Sequence, residues 1–393
     1  MAAEEEDGRE LGFPVDLLPE RREEEAPHEP AAWHKPRKQW IRREQWGKEV
    51  AALLDELRLT DREFRYLTLP GEHLFDVRHL HSVCEERKVM LRYLGFDTSR
   101  KSASVTVSEQ EVRSLPFIHG DSLIKGDKFE ALGDDKSAAY QFATQFRSFD
   151  AVNLDLCDSV ASRRTHPNHS SLNAIMRVVQ LQADNRTEPW LLFVTTRAGR
   201  EYVNAEVTTK LLKVLQGNIA NDDSFRNGLG NAALFNASSI DDECVGKNSL
   251  MAEEFVKAFG VGFSKWLLHV AKKAWSVRQQ VTVCYRVFTE GNVPDMLSLV
   301  FRFERIPVSI NDPNEIITTR SADVRSVPSV TEMELGFLEA FADLIDLDRL
   351  LHDDSSLREE MVMENADLMS RARFNRDDII EWGRKNCWQP PGA

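Results

Sequence analysis

The sequence predicts an α/β protein whose mostly parallel sheet ends in an antiparallel hairpin and is followed by C-terminal helices. Three observations carry that prediction. Apolar runs of strand length alternate with helically spaced segments from Phe64 to Trp275. Two later runs, Gln280–Phe288 and Met296–Glu304, are separated by only seven residues, too few for the crossover that parallel neighbours need, so they pair antiparallel. From Thr331 onward, acidic segments carry leucines at helical spacing.

Taken in order, Trp40–Leu57 repeats Ile41, Trp46, Val50, Leu53, Leu54 and Leu57 as one helical face, closed by Thr60 and Asp61. Phe64–Gly71 reads as a strand that stops at Pro70-Gly71. A helix with Phe75, Val77, Leu80 and Val83 follows, and Val89–Asp97 is a second strand ending on an acid. Strand, glycine turn, helix, strand and acid within 26 positions of Gly71 is the layout of a nucleotide-binding βαβ unit. Thr98–Lys136 is polar and interrupted by Pro116, Gly120, Gly126 and Gly133, with a third strand expected near Leu115–Ile118. The helix Ser137–Phe146 then delivers the chain to the central strand.

That central strand holds Ala151, Val152, Leu154 and Leu156 and ends in small polar groups. In open α/β sheets ligands bind beyond the carboxyl ends of strands, which places Asn153, Asp155 and Asp158 at or beside a site. Aspartates also cap turns, and that alternative stays open for Asp155 and Asp158. A polar loop with Arg163, Arg164, His166, Asn168 and His169 leads to the helix Leu172–Ala183, the buried strand Trp190–Arg197 and the helix Val207–Leu215. Gly217–Asn248, rich in Asn, Asp, Ser and Gly, reads as a loop or inserted subdomain, and Met251–Trp275 as one long helix.

The 393 residues, 42 % of them hydrophobic, suffice for a full core. Composition shifts divide the chain into an acidic disordered tail (1–32), a basic and aromatic arm with its helix (33–62), an α/β domain (63–310) and a C-terminal helical extension (311–393). No apolar run reaches the about eighteen residues of a membrane span, and the first residues lack a basic and then apolar leader. A cytoplasmic location without membrane contact is expected. The five cysteines are widely spaced with no CxxC pair, and His73, His79 and His81 lack the spacing of a helical metal pair, so neither disulfides nor a metal are expected. Cys157 reads as a structural thiol rather than a nucleophile.

Net charge is −14, of which residues 1–30 supply −8 with eleven acids against three arginines. Directly after them, Lys35, Arg37, Lys38, Arg42 and Arg43 are interleaved with Trp33, Trp40 and Trp46. Guanidinium groups beside indole faces suit phosphates and unstacked bases, so the arm is a candidate surface for RNA or DNA, with Trp40 as its stacking residue. An amphipathic segment docked by its tryptophans is the alternative. The C-terminal helices are a candidate surface for a protein partner.

Parallel strands alternating with helices and finished by an antiparallel hairpin resemble the Rossmann-like fold of S-adenosylmethionine-dependent methyltransferases, over roughly Phe64 to Glu304. Arg-Glu-Gln-Trp, Leu-Thr-Leu-Pro-Gly-Glu and Asn-Leu-Asp-Leu-Cys-Asp are also similar to segments of uncharacterised bacterial proteins. The resemblance implies S-adenosylmethionine as cofactor. Its methionine part would lie on the loop Leu69, Pro70, Gly71 and Glu72, and its ribose hydroxyls on Asp97. Asn153, Asp155 and Asp158, with Cys157 among them, would face the transferable methyl group. The chain departs from the pattern in having a single turn glycine, Gly71, and in lacking the Asp/Asn-Pro-Pro-aromatic motif of amino-methyltransferases. The expected function is methyl transfer, to nucleic acid. The alternatives are a degenerate member acting as a binding component of a multi-protein system and an NAD(P)-dependent oxidoreductase.

Overall fold

In the computed structural model, which describes residues 29–58, 62–100, 102–162, 170–287, 293–307 and 327–386, nine strands form one sheet. They are β1 (Glu63–Thr68), β2 (Met90–Phe96), β3 (Leu123–Lys125), β4 (Ala151–Asp155), β5 (Trp190–Arg197), β6 (Trp275–Gln279), β7 (Val283–Tyr285), β8 (Met296–Arg305) and β9 (Ile345–Asp346). Their order is β3-β2-β1-β4-β5-β8-β7-β9, with β6 also on β8. The strands β1 to β5 are parallel, and β8 enters antiparallel to β5, β6 and β7. The Rossmann-like sheet with its terminal antiparallel hairpin is therefore present, and the strand order reverses between β1 and β4.

The helices are α1 (Pro36–Trp40), α2 (Lys48–Leu57), α3 (Phe75–Glu86), α4 (Ala103–Arg113), α5 (Ala138–Phe146), α6 (Ser171–Asn185), α7 (Ala205–Asn221), α8 (Asp223–Ala232), α9 (Ala237–Cys244), α10 (Ala252–Ala271), α11 (Val330–Ala342), α12 (Leu347–Asp353), α13 (Ser355–Ser370) and α14 (Arg376–Asn386). A π-helical stretch, Ile41–Gly47, joins α1 to α2 without a break. Alternation along each strand splits the core in two. Val152, Leu154, Leu192 and Val194 pack with α5 to α11. Phe64, Tyr66, Ala151, Leu191 and Phe193 pack with the N-terminal helix, α3, α4 and α12. Trp190 lies stacked on Phe303 with ring centroids 4.0 Å apart, anchoring the junction of parallel and antiparallel strands.

Four expectations need correction. The third strand is Leu123–Lys125, because Pro116 has no N–H to give a ladder and Phe117 turns to φ +59°, leaving only a bridge from Ile118 to Leu91. Most of Gly217–Asn248 is helical: Asp222 and Asn236, read as loop formers, are the N-caps of α8 and α9, whose Phe225, Leu229 and Ile240 are buried. The long helix stops at Ala271, and Trp275 opens a strand. Of Gln280–Phe288 only Val283–Tyr285 is strand among the described residues, and β6, which also pairs with β8, precedes that segment. His166 and His169 lie outside the described residues, as does Cys387.

Candidate functional site

The carboxyl edge of β1, β2 and β4 gathers the residues singled out in the sequence. Beyond β1, Pro70 is buried against β2, where a Cβ on Gly95 would meet its ring at 3.1 Å, so a side chain there would push the loop off the sheet. Leu69 is half-buried, and Gly71 is exposed at φ +61°, a turn that favours glycine. Exposed Glu72 accepts a hydrogen bond from the Ser104 hydroxyl at the start of α4. At the end of β2, half-buried Asp97 accepts from the Ser99 N–H at 2.7 Å and from its hydroxyl at 2.5 Å, both through Oδ1.

Beyond β4 the three acidic and amide candidates separate. Asn153 is fully buried and donates through Nδ2 to the Tyr66 hydroxyl at 2.8 Å, so it does not face a substrate directly. Asp158 is exposed, and its Oδ1 accepts from the Ser159 N–H at 2.8 Å, which is the turn-capping alternative. Asp155 is the one that reaches the edge: its side chain is 30 % exposed and its Oδ1 accepts from the Lys38 ammonium at 2.5 Å. Cys157, two residues on and read as a buried structural thiol, is exposed, and its thiol is pushed up by partial desolvation and by Asp155.

Lys38 comes from the arm, and the arm is turned inward, contrary to the expectation of a phosphate-binding surface. Lys35, Arg37, Lys38, Trp40 and Arg42 are all at most 9 % exposed. The Lys35 ammonium is 3.4 Å from the Val287 carbonyl, and Arg37 pairs with Asp348 at 2.6 Å. Arg42 lies over the Phe75 ring at 5.4 Å, and Arg43 pairs with Glu44, Glu360 and Glu364. The reason is local. Lys38, Arg42 and Gln45 follow one another at four and three positions, a single helical stripe, and that stripe lies on a polar row of the sheet. Gln45 donates to the carbonyls of Val281 and Ser298 and accepts from the Ser298 hydroxyl at 2.7 Å. Burial lowers the Lys38 ammonium, and its contact with Asp155 opposes that shift.

Sequence reasoning missed a buried network below this edge. Asp76, in the first turn of α3, accepts from Tyr66 at 2.9 Å and from Thr68, and burial raises its carboxyl. Thr68 sits opposite Asn153 in the β1–β4 register, so the network lies at the point where strand order reverses. The β1–β4 pairing brings Asn153 to Tyr66 and Thr68, and α3 adds Asp76 to the same two residues, neither of which is visible in one dimension. The three histidines do not meet a common point: His73 packs on the rings of Phe75 and Phe374, His79 faces Gly47, and His81 Nε2 lies 2.6 Å from the Pro116 carbonyl. Among the described residues no group of three His, Cys, Asp or Glu could hold a metal ion, and no helix is long and apolar enough to cross a membrane.

Among solved structures the chain is similar to a candidate class I S-adenosylmethionine-dependent methyltransferase from Listeria monocytogenes, at 12 % identity and a TM-score of 0.33. The match takes in 69 % of this chain and 62 % of that one. The fold assignment accordingly rests on strand order rather than on this superposition. No curated protein matches. Residues 27–384 match the family model described as PP_RS20740-like, and the chain belongs to that family.

Proposed function

We propose that the protein transfers a methyl group from S-adenosylmethionine, using the carboxyl edge of β1, β2 and β4. The observation that carries this reading is the placement of Asp97 and Asp155 on that edge, on either side of the loop after β1, in a sheet with the methyltransferase strand order. The residues present fit such a ligand. Half-buried Asp97 suits a ribose diol, and buried donors and acceptors without partners lie below Asp155. When bound, the cofactor supplies an electrophilic methyl group on sulfonium.

The chain's own part is alignment and proton handling, because methyl transfer to an amine or hydroxyl needs an in-line approach and modest base help. Asp155 is the group placed to accept the acceptor's proton, and Lys38, held at 2.5 Å, fixes the direction of its carboxylate. Asp97 takes the sugar. Nucleic acid as methyl acceptor was expected from the arm, whose basic side chains are occupied inside the protein. The acceptor class is therefore set by its nucleophile, an amine or hydroxyl brought to Asp155.

One observation favours a second reading, a degenerate binding component: Asp155 is already in an ion pair and Asn153 is buried. Calorimetric titration with S-adenosylmethionine, S-adenosylhomocysteine and NAD separates the readings. Binding of the first two alone supports methyl transfer; binding of none favours the degenerate component, and binding of NAD alone favours an oxidoreductase.

A further inference from the structure

We propose that α1, α13 and α14 form a lid, shut over the carboxyl edge of β1 and β4, that swings away before a ligand enters. The inference rests on the reading that a ligand binds at that edge, and adds how the edge is opened.

In the structure the edge is covered. Helix α1 and the residues just after it cross the carboxyl ends of three strands. Arg42 lies over Phe75 beyond β1, Lys38 holds Asp155 at the end of β4, and the Arg37 guanidinium donates to the Arg286 carbonyl beyond β7. Tyr66, Thr68 and Asn153 beneath them are fully buried. Helix α13 is fastened to α1 in turn, with Asn365 donating to the His34 carbonyl at 2.9 Å and Glu364 accepting from Gln39 at 3.4 Å. Tyr66, Thr68 and Asn153 therefore meet a ligand only after these helices move.

The way the helices are held suits such a movement. Helices α13 and α14 share a small core of their own, with Val362, Ala366, Met369 and Ile380, and Phe75 is its one buried member from the α/β body. Trp40 of α1 and Met361 of α13 reach the body's core. Charge supplies further fastenings: Arg43 to Glu360 at 2.8 Å and to Glu364 at 2.6 Å, Arg373 to Glu111 at 3.2 Å, and Lys38 to Asp155. When an ion pair parts at an opening seam both ends pass into water, so the loss of their attraction is offset by hydration, which apolar contacts do not gain.

Both ends of the lid also have a place to bend. Ile41–Gly47 is π-helical, and sharp bends gather at such turns. Gln45 pins the far side of that turn to the sheet through the Val281 and Ser298 carbonyls, at 2.8 and 3.1 Å. At the other end Asp354 alone separates α12 from α13, in an extended conformation with φ −110° and ψ 92°.

The test is hydrogen exchange read by mass spectrometry on the full chain and on the double variant Glu360→Gln, Glu364→Gln. The variant keeps two helix-forming side chains and removes the charges that hold Arg43 to α13. Association of S-adenosylhomocysteine is followed beside it by stopped-flow tryptophan fluorescence. The expected result is that amides of α1, α13 and α14 exchange roughly threefold or more faster in the variant, while those of α10 in the main core are unchanged. S-adenosylhomocysteine should then associate faster by the same factor, because association scales with the open fraction. Raising salt from about 50 mM to about 0.5 M should reproduce both effects in the unaltered chain by screening the same pairs, which covers a variant that folds poorly. Exchange of α1 and α13 no faster than that of α10 in either protein, or faster exchange with an unchanged association rate, overturns the lid while the cofactor reading stands. Faster exchange with no S-adenosylhomocysteine bound by folded wild type supports the lid and overturns the cofactor reading.

Discussion

The Lys38 ammonium and the Asp155 carboxylate, 117 positions apart in sequence, meet at 2.5 Å and fasten the N-terminal helix to the carboxyl end of β4. Lys38 is buried while Asp155 is partly solvated, so the two ends of the pair have different jobs. Lys38→Met keeps the stem packed near Trp46 and removes only the charge. It is expected to change the melting temperature by a few degrees, since Asp155 can still be hydrated, while turnover falls by about tenfold or more as the carboxylate loses its fixed direction. Unaltered turnover in a folded variant would show that the pair is architectural.

Among the described residues the Asp97 carboxylate bonds only to Ser99, and its backbone bonds to Lys125 and Arg100 survive truncation, so Asp97→Ala should leave the fold intact. Hydrogen bonds from ribose hydroxyls to a carboxylate are worth about 1.5 to 3 kcal/mol each, which predicts at least roughly tenfold weaker binding of S-adenosylhomocysteine. Calorimetry on the variant beside a thermal melt checks this, and undiminished affinity removes Asp97 from the cofactor site.

Arg37, Asp348 and Arg286 form a buried ion cluster, with Asp348 2.6 Å from Arg37 and 3.1 Å from Arg286. Breaking such a cluster by removing one partner typically costs about 3 kcal/mol or more. Urea denaturation of Arg37→Met should show a loss of that order. A loss below about 0.5 kcal/mol, the range of ordinary surface changes, would mean that the arm is not held in this way in solution.

Burial, reinforced by the Arg42 guanidinium, holds the His79 imidazole down at about 4. In the unfolded chain it titrates near about 6.5, so between those values the unfolded state takes up a proton that the folded state does not. Stability therefore falls as pH falls through that window, with His79 accounting for about 2 kcal/mol between pH 7 and pH 5. Unfolding free energies from urea titrations at the two pH values should differ less in His79→Gln by that amount. An unchanged difference between them would refute the assignment.

Strand β5 was legible because both faces of Trp190–Arg197 are covered, which leaves a continuous apolar run bounded by polar turns. The edge position of Asp155 was legible for the same reason on β4. The partner of Asp155 was not: Lys38 sits in a charge-rich stretch whose periodicity shows that Ile41 and Trp46 are buried, but says nothing about the opposite stripe. That stripe is covered as well, because the sheet presents Asp155 and Ser298 to it. Asp76 was hidden similarly, since its polar partners Tyr66 and Thr68 lie in β1 and read as strand residues. In each case the charge pattern of one segment is answered by a polar group on a distant one, and such pairing has no period.

Asp155→Ala in the full chain, given labelled S-adenosylmethionine and a nucleic-acid and protein extract from cells lacking the gene, tests the central claim most directly. The account predicts label incorporated by wild type and lost by orders of magnitude in a normally melting variant whose affinity for S-adenosylhomocysteine is little changed. Incorporation by the variant at the wild-type rate, or none by folded wild type with the cofactor bound, would contradict it.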